Sequence, residues 1–324
     1  MRRSEAHSHS RHGGVRKIEV DHENHLARRG SGNKTGPREV QNVRRRGFAH
    51  ARKMRLDRSM LSIATVNVNG VRAAYRRGMQ AWIDDYDPDV VLMQEVRADD
   101  DIVHGLVGED WHVVHSAAPQ KGRAGVAILT REEVDAVRIG LPGEAEESGG
   151  RWAEIDLTTA AGSELTIASV YVHTGVADDE DHMALKYAYL DAMEKRMADL
   201  LTSGRHVVVG GDINVAHDER DIKNWKGNLK SAGFLPQERA YLTRWFSDGG
   251  WTDLARHHAG DVPGPYTWWS YRGKAFDNDA GWRIDYLLAG DQTVATMKEI
   301  TVDRAPTYDT RFSDHAPLRA VFDL

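Results

Sequence analysis

The chain has 324 residues, 40% of them apolar, and no cysteine, which is enough for one large core and excludes disulfides, thiolate metal sites and a cysteine nucleophile. No stretch approaches the roughly 18–20 continuous apolar residues of a membrane-spanning helix. The formal net charge of −6 hides an uneven split: residues 1–59 hold 16 Lys+Arg against 6 Asp+Glu, and residues 60–324 hold 27 against 43. In chain order, the basic segment 1–59 is rich in Gly, Ser and His and has little apolar periodicity, so it is predicted to be disordered. Two readings stay open for it: an arm that touches nucleic-acid phosphates, or a dispensable extension ahead of Met54 and Met60. Its opening arginine pair is not followed by an apolar core, so no secretion signal is read there. The histidines of AHSHSRH lack the rigid frame of a metal site. The absence of cysteine fits a reducing cytoplasm, and a cytoplasmic protein is expected.

Residues 60–324 read as one ordered domain. LSIATVNV is strand-like and ends at the turn signal VNVNG. RAAYRRGMQAWIDDY is predicted as a helix stopped at Asp87-Pro88. DVVLMQE is a short apolar run ending in an acid. Residues 111–118 and 124–130 are predicted strands joined by KGRAG, and RWAEIDL and ELTIASVYV flank TTAAGS as a hairpin. Residues 180–201 have a helical period, with Met183, Tyr187, Leu190, Met197 and Leu200 or Leu201 on one stripe. HVVVGGD is the next strand and PQERAYLTRWFSDGG a helix with a glycine stop. YTWW, RIDYLLAG, TVATMKEITV and PLRAVFDL are all strand-like. Strands outnumber helices and the hairpins require antiparallel or mixed sheets, so the predicted class is α/β (α+β): two packed sheets with helices on their outer faces.

Polar side chains recur where apolar runs stop: Asn67, Glu95, Tyr171, His173, Asp212, Asn214, Asp285, Asp314 and His315. A strand end places a side chain accurately beside solvent. Glu, Asp and Asn are hard ligands suited to Mg²⁺ or Mn²⁺. A carboxylate cluster with one histidine suits phosphodiester hydrolysis, in which charge building on the phosphorane must be neutralised and a water activated. Asp285 and His315 are natural partners, because a neighbouring carboxylate keeps an imidazole oriented and protonated. Each piece alone also has a plain structural reading: Asp212 and Asn214 as turn caps, VNVNG as a hairpin turn, Tyr171 and the tryptophans as core aromatics.

Taken together, VNVNGVRAA, LMQEVR, VYVHTG, GGDINVAHDERDI, FDNDAGWRIDYLL and SDHAPL resemble the exonuclease III family of abasic-site endonucleases, within the endonuclease/exonuclease/phosphatase superfamily. The resemblance covers about residues 61–324 and implies a four-layer α/β/β/α sandwich. It implies Mg²⁺ held by Glu95 with Asn67 close by and Asp314 as a further ligand, and it brings Asp212, Asn214 and His315 to the same metal centre. It gives Asp212 the attacking water, Asn214 and His315 the scissile phosphate, Asp285 the orientation of His315, and Tyr171 the phosphate or the leaving group. Trp268 and Trp282 match the walls of a pocket for a flipped-out sugar, with Leu287 or Leu288 at its floor; which of Trp268 and Trp269 faces the pocket is left open. Arg97, Arg123, Arg220, Asn224, Lys226, Arg272 and Lys274 are candidate contacts to the DNA backbone. The glycines of GGDIN are expected to leave room for that backbone, with Asp212 and Asn214 on one face of a strand. The implied activity is cutting 5′ to abasic sites in double-stranded DNA and trimming 3′ ends, by a monomer with no membrane association. Alternatives are a phosphatase of the same superfamily acting on a non-DNA phosphoester and a non-catalytic DNA-binding protein. Two features depart from this picture. The body is acidic, and GVADDEDHM is acidic where some relatives carry a basic insertion.

Overall fold

The computed structural model describes residues 60–324; the basic segment 1–59 and the expectations attached to it lie outside the described residues. Twelve strands among the described residues form two six-stranded mixed sheets. The first holds β1 (Met60–Asn67), β2 (Val90–Gln94), β3 (His112–Ser116), β4 (Val126–Thr130), β11 (Met297–Val302) and β12 (Leu318–Asp323), in the order β11-β12-β1-β2-β4-β3. The second holds β5 (Val134–Ile139), β6 (Trp152–Thr158), β7 (Glu164–Tyr171), β8 (His206–Asp212), β9 (Trp251–Asp253) and β10 (Asp285–Gly290), in the order β5-β6-β7-β8-β10-β9. β1 runs parallel to β2 and β7 parallel to β8; the other pairings are antiparallel.

The sheets share an apolar core that includes Leu61, Ile63, Leu92, Ile128, Ile155, Ile167, Val208, Leu287 and Phe322. A second cluster lies under α4 (Glu180–Leu201) and α5 (Pro236–Ser247), where Leu190, Met193, Met197 and Trp245 meet Val209 and Leu288. A third lies under α1 (Val71–Arg76), α2 (Met79–Tyr86) and α3 (Asp100–Val107), where Val71, Met79 and Val103 meet Ala64, Val91 and Ala127. Near-continuous burial of β1, β2, β4, β7 and β8 follows, since each is covered on both faces. The result is the expected four-layer α/β/β/α sandwich. On the α4 stripe Leu200, not Leu201, completes the buried row. Among the described residues no helix is long and apolar enough to cross a membrane.

Several elements differ from the sequence reading. RAAYRRGMQAWIDDY is two helices, because Gly78 takes φ 111° and breaks the ladder between Arg76 and Met79. YTWW is not a strand: Trp268 makes isolated bridges to Trp282 and His315. TVATMKEITV begins with the end of the short helix α7 (Asp291–Val294), and only Met297–Val302 is strand. Edge strand β5, helix α3, and the pair β9 and α6 (Leu254–Ala259) were not read from sequence. GVADDEDHM is acidic for a structural reason. Asp179 caps α4, accepting from the His182 N–H at 3.1 Å, and Glu180 and Asp181 sit in the first turn, where carboxylates offset the helix dipole.

The topology explains how distant residues meet. β12 antiparallel to β1 sets Leu318 opposite Thr65, so the preceding SDH loop lies at the C-terminal end of β1. β10 antiparallel to β8 sets Asp285 directly opposite Asp212. The ends of β1, β2, β7 and β8 and the start of β10 thus share one edge of the sandwich.

Candidate active site

At that edge lies a cleft of about 370 Å³ lined by Asn69, Glu95, Arg97, Thr174, Asp212, Asn214, Ser231, Ala232, Trp268, Trp282, Ile284, Asp314 and His315. Its hub is Asn67, which is fully buried. Asn67 Nδ2 donates to Glu95 Oε1 at 3.1 Å and to Asp212 Oδ2 at 2.9 Å, so one amide joins a carboxylate of each sheet. Asn67 Oδ1 accepts the Asn69 N–H at 2.9 Å, and Asn69 Nδ2 donates to Asp314 Oδ1 at 2.9 Å. Glu95 also accepts from the Tyr171 hydroxyl at 2.7 Å and from the Arg97 guanidinium. Trp268 Nε1 donates to Asp314 Oδ2 at 3.1 Å.

His315 is held by Asp285, with Nδ1 and Oδ2 2.8 Å apart, and its Nε2 stands 3.9 Å from Asp212 Oδ2. Burial disfavours an imidazolium, but Asp285, Asp212 and Asp314 outweigh it and raise the pKa of His315 well above the ordinary value. Burial and the charge of Asp285 push the Asp212 carboxyl up, against the opposing pull of His315 and Asn67. Asp314 is held below the usual carboxylate range: burial opposes this, but His315, Asn69 and Trp268 prevail. Burial and the Glu95 charge keep Tyr171 a neutral phenol.

The donor set fits a hard divalent cation. Glu95, Asp212, Asp285 and Asp314 crowd carboxylate oxygens round one imidazolium and one guanidinium, and Asp285 Oδ1 is buried with no hydrogen-bond partner among the described residues. Glu95 and Asp314 are joined to the same network through the neutral amides of Asn67 and Asn69, whereas the cluster of Asp212, Asp285 and His315, with ligand atoms within 4.8 Å of one another, contains the protonated imidazole, which offers a metal no lone pair. Carboxylate and amide oxygens of this kind are the donors a hard divalent cation takes.

The expected site residues are largely brought together, with informative exceptions. Asp212 ends β8, and Asn214 lies beyond it at φ 55°, so the two do not share a strand face. They are coupled instead by the Asn214 N–H donating to Asp212 Oδ1 at 2.9 Å, while Asn214 Nδ2 donates to the Val172 carbonyl at 3.0 Å. The glycines serve sheet packing and not DNA access. A Cβ on Gly210 would meet Leu92 Cδ1 at 2.6 Å, and one on Gly211 would meet the Val170 carbonyl oxygen at 1.9 Å. Trp268 is the cleft wall, 6.1 Å edge-to-face from Trp282, whereas Trp269 is buried against Phe276. The apolar residue beside the two tryptophans is Ile284; Leu287 and Leu288 are buried in the two cores flanking the second sheet.

Of the candidate backbone contacts, Arg97 lines the cleft. Arg123 lines the adjoining groove with Pro119, Glu146, Arg151 and His173. Arg220 is engaged by Asp218 and, at 2.8 Å, by Asp261. Lys226 lies over the Trp225 ring, and Asn224, Arg272 and Lys274 are exposed in surface loops. Sequence reading missed Thr174, Ser231, Ala232 and Ile284, which are small or apolar and carry no chemical signal. Asn69, read as a turn residue, joins the site through Asp314.

His173 turns away from the cleft. It lies 9% exposed with Nε2 2.8 Å from Ser148 Oγ, and burial, aided by Arg151 and Lys186, depresses its pKa to about 3. Because the folded value lies below the unfolded one, the unfolded chain binds the proton first. Stability is therefore full above about pH 6.5 and falls as the pH drops toward the folded value. Between pH 7.5 and 5.5 the wild type is expected to lose about 1.4 kcal/mol that His173→Gln keeps, one pKa unit of linkage. Urea titrations at the two pH values check this; equal losses in both proteins would reject it.

A model of the Endonuclease/Exonuclease/phosphatase family matches residues 64–315. The chain is 32% identical over 265 residues to an exodeoxyribonuclease of Bacillus subtilis, covering 82% of this chain and 100% of that one. Among solved structures it is similar to the 3′ phosphatase NExo from Neisseria bound to product DNA hairpin, with TM-score 0.71 and 28% identity over 82% of this chain and 100% of that one. It is likewise similar to an AP endonuclease from Archaeoglobus fulgidus, with TM-score 0.70 and 28% identity over the same shares. Six motifs, a four-layer sandwich and an Asn-bridged pair of carboxylates beside an Asp-held histidine are thereby accounted for together: the chain belongs to the endonuclease/exonuclease/phosphatase family, in its exodeoxyribonuclease III and AP endonuclease branch.

Proposed function

We propose that the chain hydrolyses DNA phosphodiesters, cutting 5′ to abasic sites and trimming 3′ ends, as a Mg²⁺-dependent monomer working in the cytoplasm at the nucleoid. The observation that carries this reading is the Asn67 bridge between Glu95 and Asp212, set beside the Asp285–His315 pair and opening onto an aromatic cleft. Glu95 and Asp314 would hold the ion, with Asn67 fixing the first of them. When bound, Mg²⁺ supplies Lewis-acid polarisation of the phosphoryl oxygens and neutralises their charge; Mn²⁺ meets the same requirement.

Asp212 orients a water and accepts its proton as the water oxygen bonds to phosphorus and the P–O3′ bond breaks, with O3′ leaving and taking a proton from solvent. Its raised pKa suits that step, because a base works best when its pKa approaches the working pH. His315, committed to Asp285 through Nδ1, directs its Nε2–H at a phosphoryl oxygen. Asn214 donates to the same phosphate, and Tyr171 contacts the phosphate or the leaving oxygen. Trp268, Trp282 and Ile284 wall a pocket that admits an extruded abasic sugar, whose flipping costs little because no base is unstacked. The 3′ phosphatase and AP endonuclease named among its structural neighbours support this substrate class. Arg97, Arg123 and Arg151 are the arginines along the cleft and the adjoining groove, set beside Glu95, Glu146 and Glu147.

The test is incubation with an end-labelled duplex carrying one abasic analogue. One incised product is expected with Mg²⁺, none with EDTA, and recovery on adding excess Mg²⁺. An intact duplex together with phosphate release from a soluble phosphoester would overturn the reading.

A further inference from the structure

Lys186 lies on α4, away from the reacting groups, yet it is completely buried. An ammonium in that position is unfavourable unless all its donors are used. Its Nζ donates to the Glu238 carboxylate at 2.6 Å, to the Asn214 carbonyl at 3.0 Å and to the Thr174 carbonyl at 3.1 Å. Glu238, equally buried in the first turn of α5, accepts in turn from the Gly233 N–H at 2.7 Å and the Leu235 N–H at 2.9 Å. One ion pair therefore ties three separate loops, those after β7, after β8 and before α5. Each of these loops delivers cleft residues: Thr174, Asn214, and Ser231 with Ala232.

The link to Asn214 is the decisive one. Asn214 sits at φ 55°, a conformation that few residues other than Gly and Asn adopt without strain. In that conformation its N–H reaches Asp212 Oδ1 while its carbonyl meets Lys186. The same backbone contact that orients Asp212 is thus anchored from behind by a buried cation.

We propose that Lys186, paired with Glu238, is a positioning residue for the reaction: it fixes the backbone of Asn214 and Thr174, and through Asn214 the orientation of Asp212 and of the amide offered to the phosphate. This rests on the hydrolase reading above. Lys186 touches no substrate in this scheme, so its loss acts on turnover more than on DNA affinity.

The experiment is a double-mutant cycle in the full chain. Lys186→Met is combined with Glu238→Gln, so that no unpaired charge stays buried, and the pair is placed in wild-type and Asn214→Ala backgrounds. The pair is expected to lower kcat on the abasic duplex about 10- to 100-fold, with KM within about threefold. In the Asn214→Ala background the same pair is expected to lower kcat clearly less than in the wild type, because the share carried by the side-chain amide is already gone while the backbone link to Asp212 remains. A general loss of folded protein would lower kcat equally in both backgrounds, and that outcome overturns the proposal. So does a pair that turns over within twofold of wild type. Hydrogen exchange gives a second readout: peptides covering 172–176 and 213–216 are expected to exchange faster in the pair while the strands stay protected. Unchanged exchange in those peptides also overturns the proposal. An inactive wild-type protein would instead overturn the functional reading, and the positioning role with it.

Discussion

Asp212→Asn is expected to slow incision of an abasic duplex by about 10³-fold, the middle of the range a positioned general base contributes, while DNA affinity stays within a few-fold of wild type. The substitution keeps the shape of the side chain and removes its basicity. It also disturbs a built arrangement: Asp212 Oδ1 accepts the Asn214 N–H and Oδ2 accepts Asn67 Nδ2. An amide offers a single acceptor, so its NH₂ faces a donor on one side. Against this, the change removes a buried charge that repels Asp285, so the fold is expected to survive. The proposed phosphate contacts of His315, Asn214 and Tyr171 are untouched, so binding is expected to be retained. The pH profile separates the base from a bystander. In the proposed reaction deprotonated Asp212 is the working form, so the wild-type rate is expected to climb with pH as this carboxyl, pushed up by burial and Asp285, deprotonates; the variant is expected to lack this limb. Single-turnover rates across pH, with fluorescence anisotropy for binding, check both halves. A variant within tenfold of wild type would remove Asp212 from its role.

Much of this centre was legible before any coordinates, and the reason is topological. A strand end is marked in sequence by the point where an apolar run meets a polar residue. Asn67, Glu95, Tyr171, Asp212 and the SDH residues Asp314 and His315 all carry that mark. What sequence does not carry is which way a residue turns once the strand has ended. Asp212 and Asn214 are two apart, and two apart on a strand means one face, but the strand stops at Asp212 and a left-handed turn reorients Asn214. The adjacent Trp268 and Trp269 must diverge on extended backbone, and only packing against Phe276 decides that Trp269 goes inward. The glycine pair was misread because a missing side chain is equally consistent with ligand approach and with close packing; here Leu92 and Val170 occupy the space. Arg220 carried the right charge for DNA, but Asp218 and Asp261 claim it, a pairing visible only when the loop is folded. Lys186 had no signal at all, since a lysine on an amphipathic helix is ordinarily solvated.

His315→Ala is expected to cost about 2.7–4 kcal/mol of transition-state stabilisation, a loss of about 10²–10³ in kcat, as for removal of one preorganised donor to a developing oxyanion. The imidazole is 7% exposed and its Nδ1 is fixed by Asp285 at 2.8 Å, so the donor is held in place before substrate arrives. Removing it also leaves Asp285 and Asp212 facing each other without a cation, so a lower thermal midpoint is expected as well. The companion variant Asp285→Asn distinguishes the charge of the imidazolium from its mere presence. Asp285 is the foremost of the charges that raise the His315 pKa, ahead of Asp212 and Asp314. With Asn at 285 the hydrogen bond can persist, but the pKa of His315 falls. In the proposed reaction the protonated form stabilises the phosphorane, and it is lost as pH rises through that pKa. The wild type should therefore hold its rate into alkaline solution, whereas Asp285→Asn should lose rate at a distinctly lower pH and recover part of it on acidification. Rate profiles of the two proteins under single-turnover conditions test this ordering. Superimposable alkaline limbs would mean that His315 does not act as a cation, and a loss under tenfold in His315→Ala would mean that it does not act on the phosphate at all.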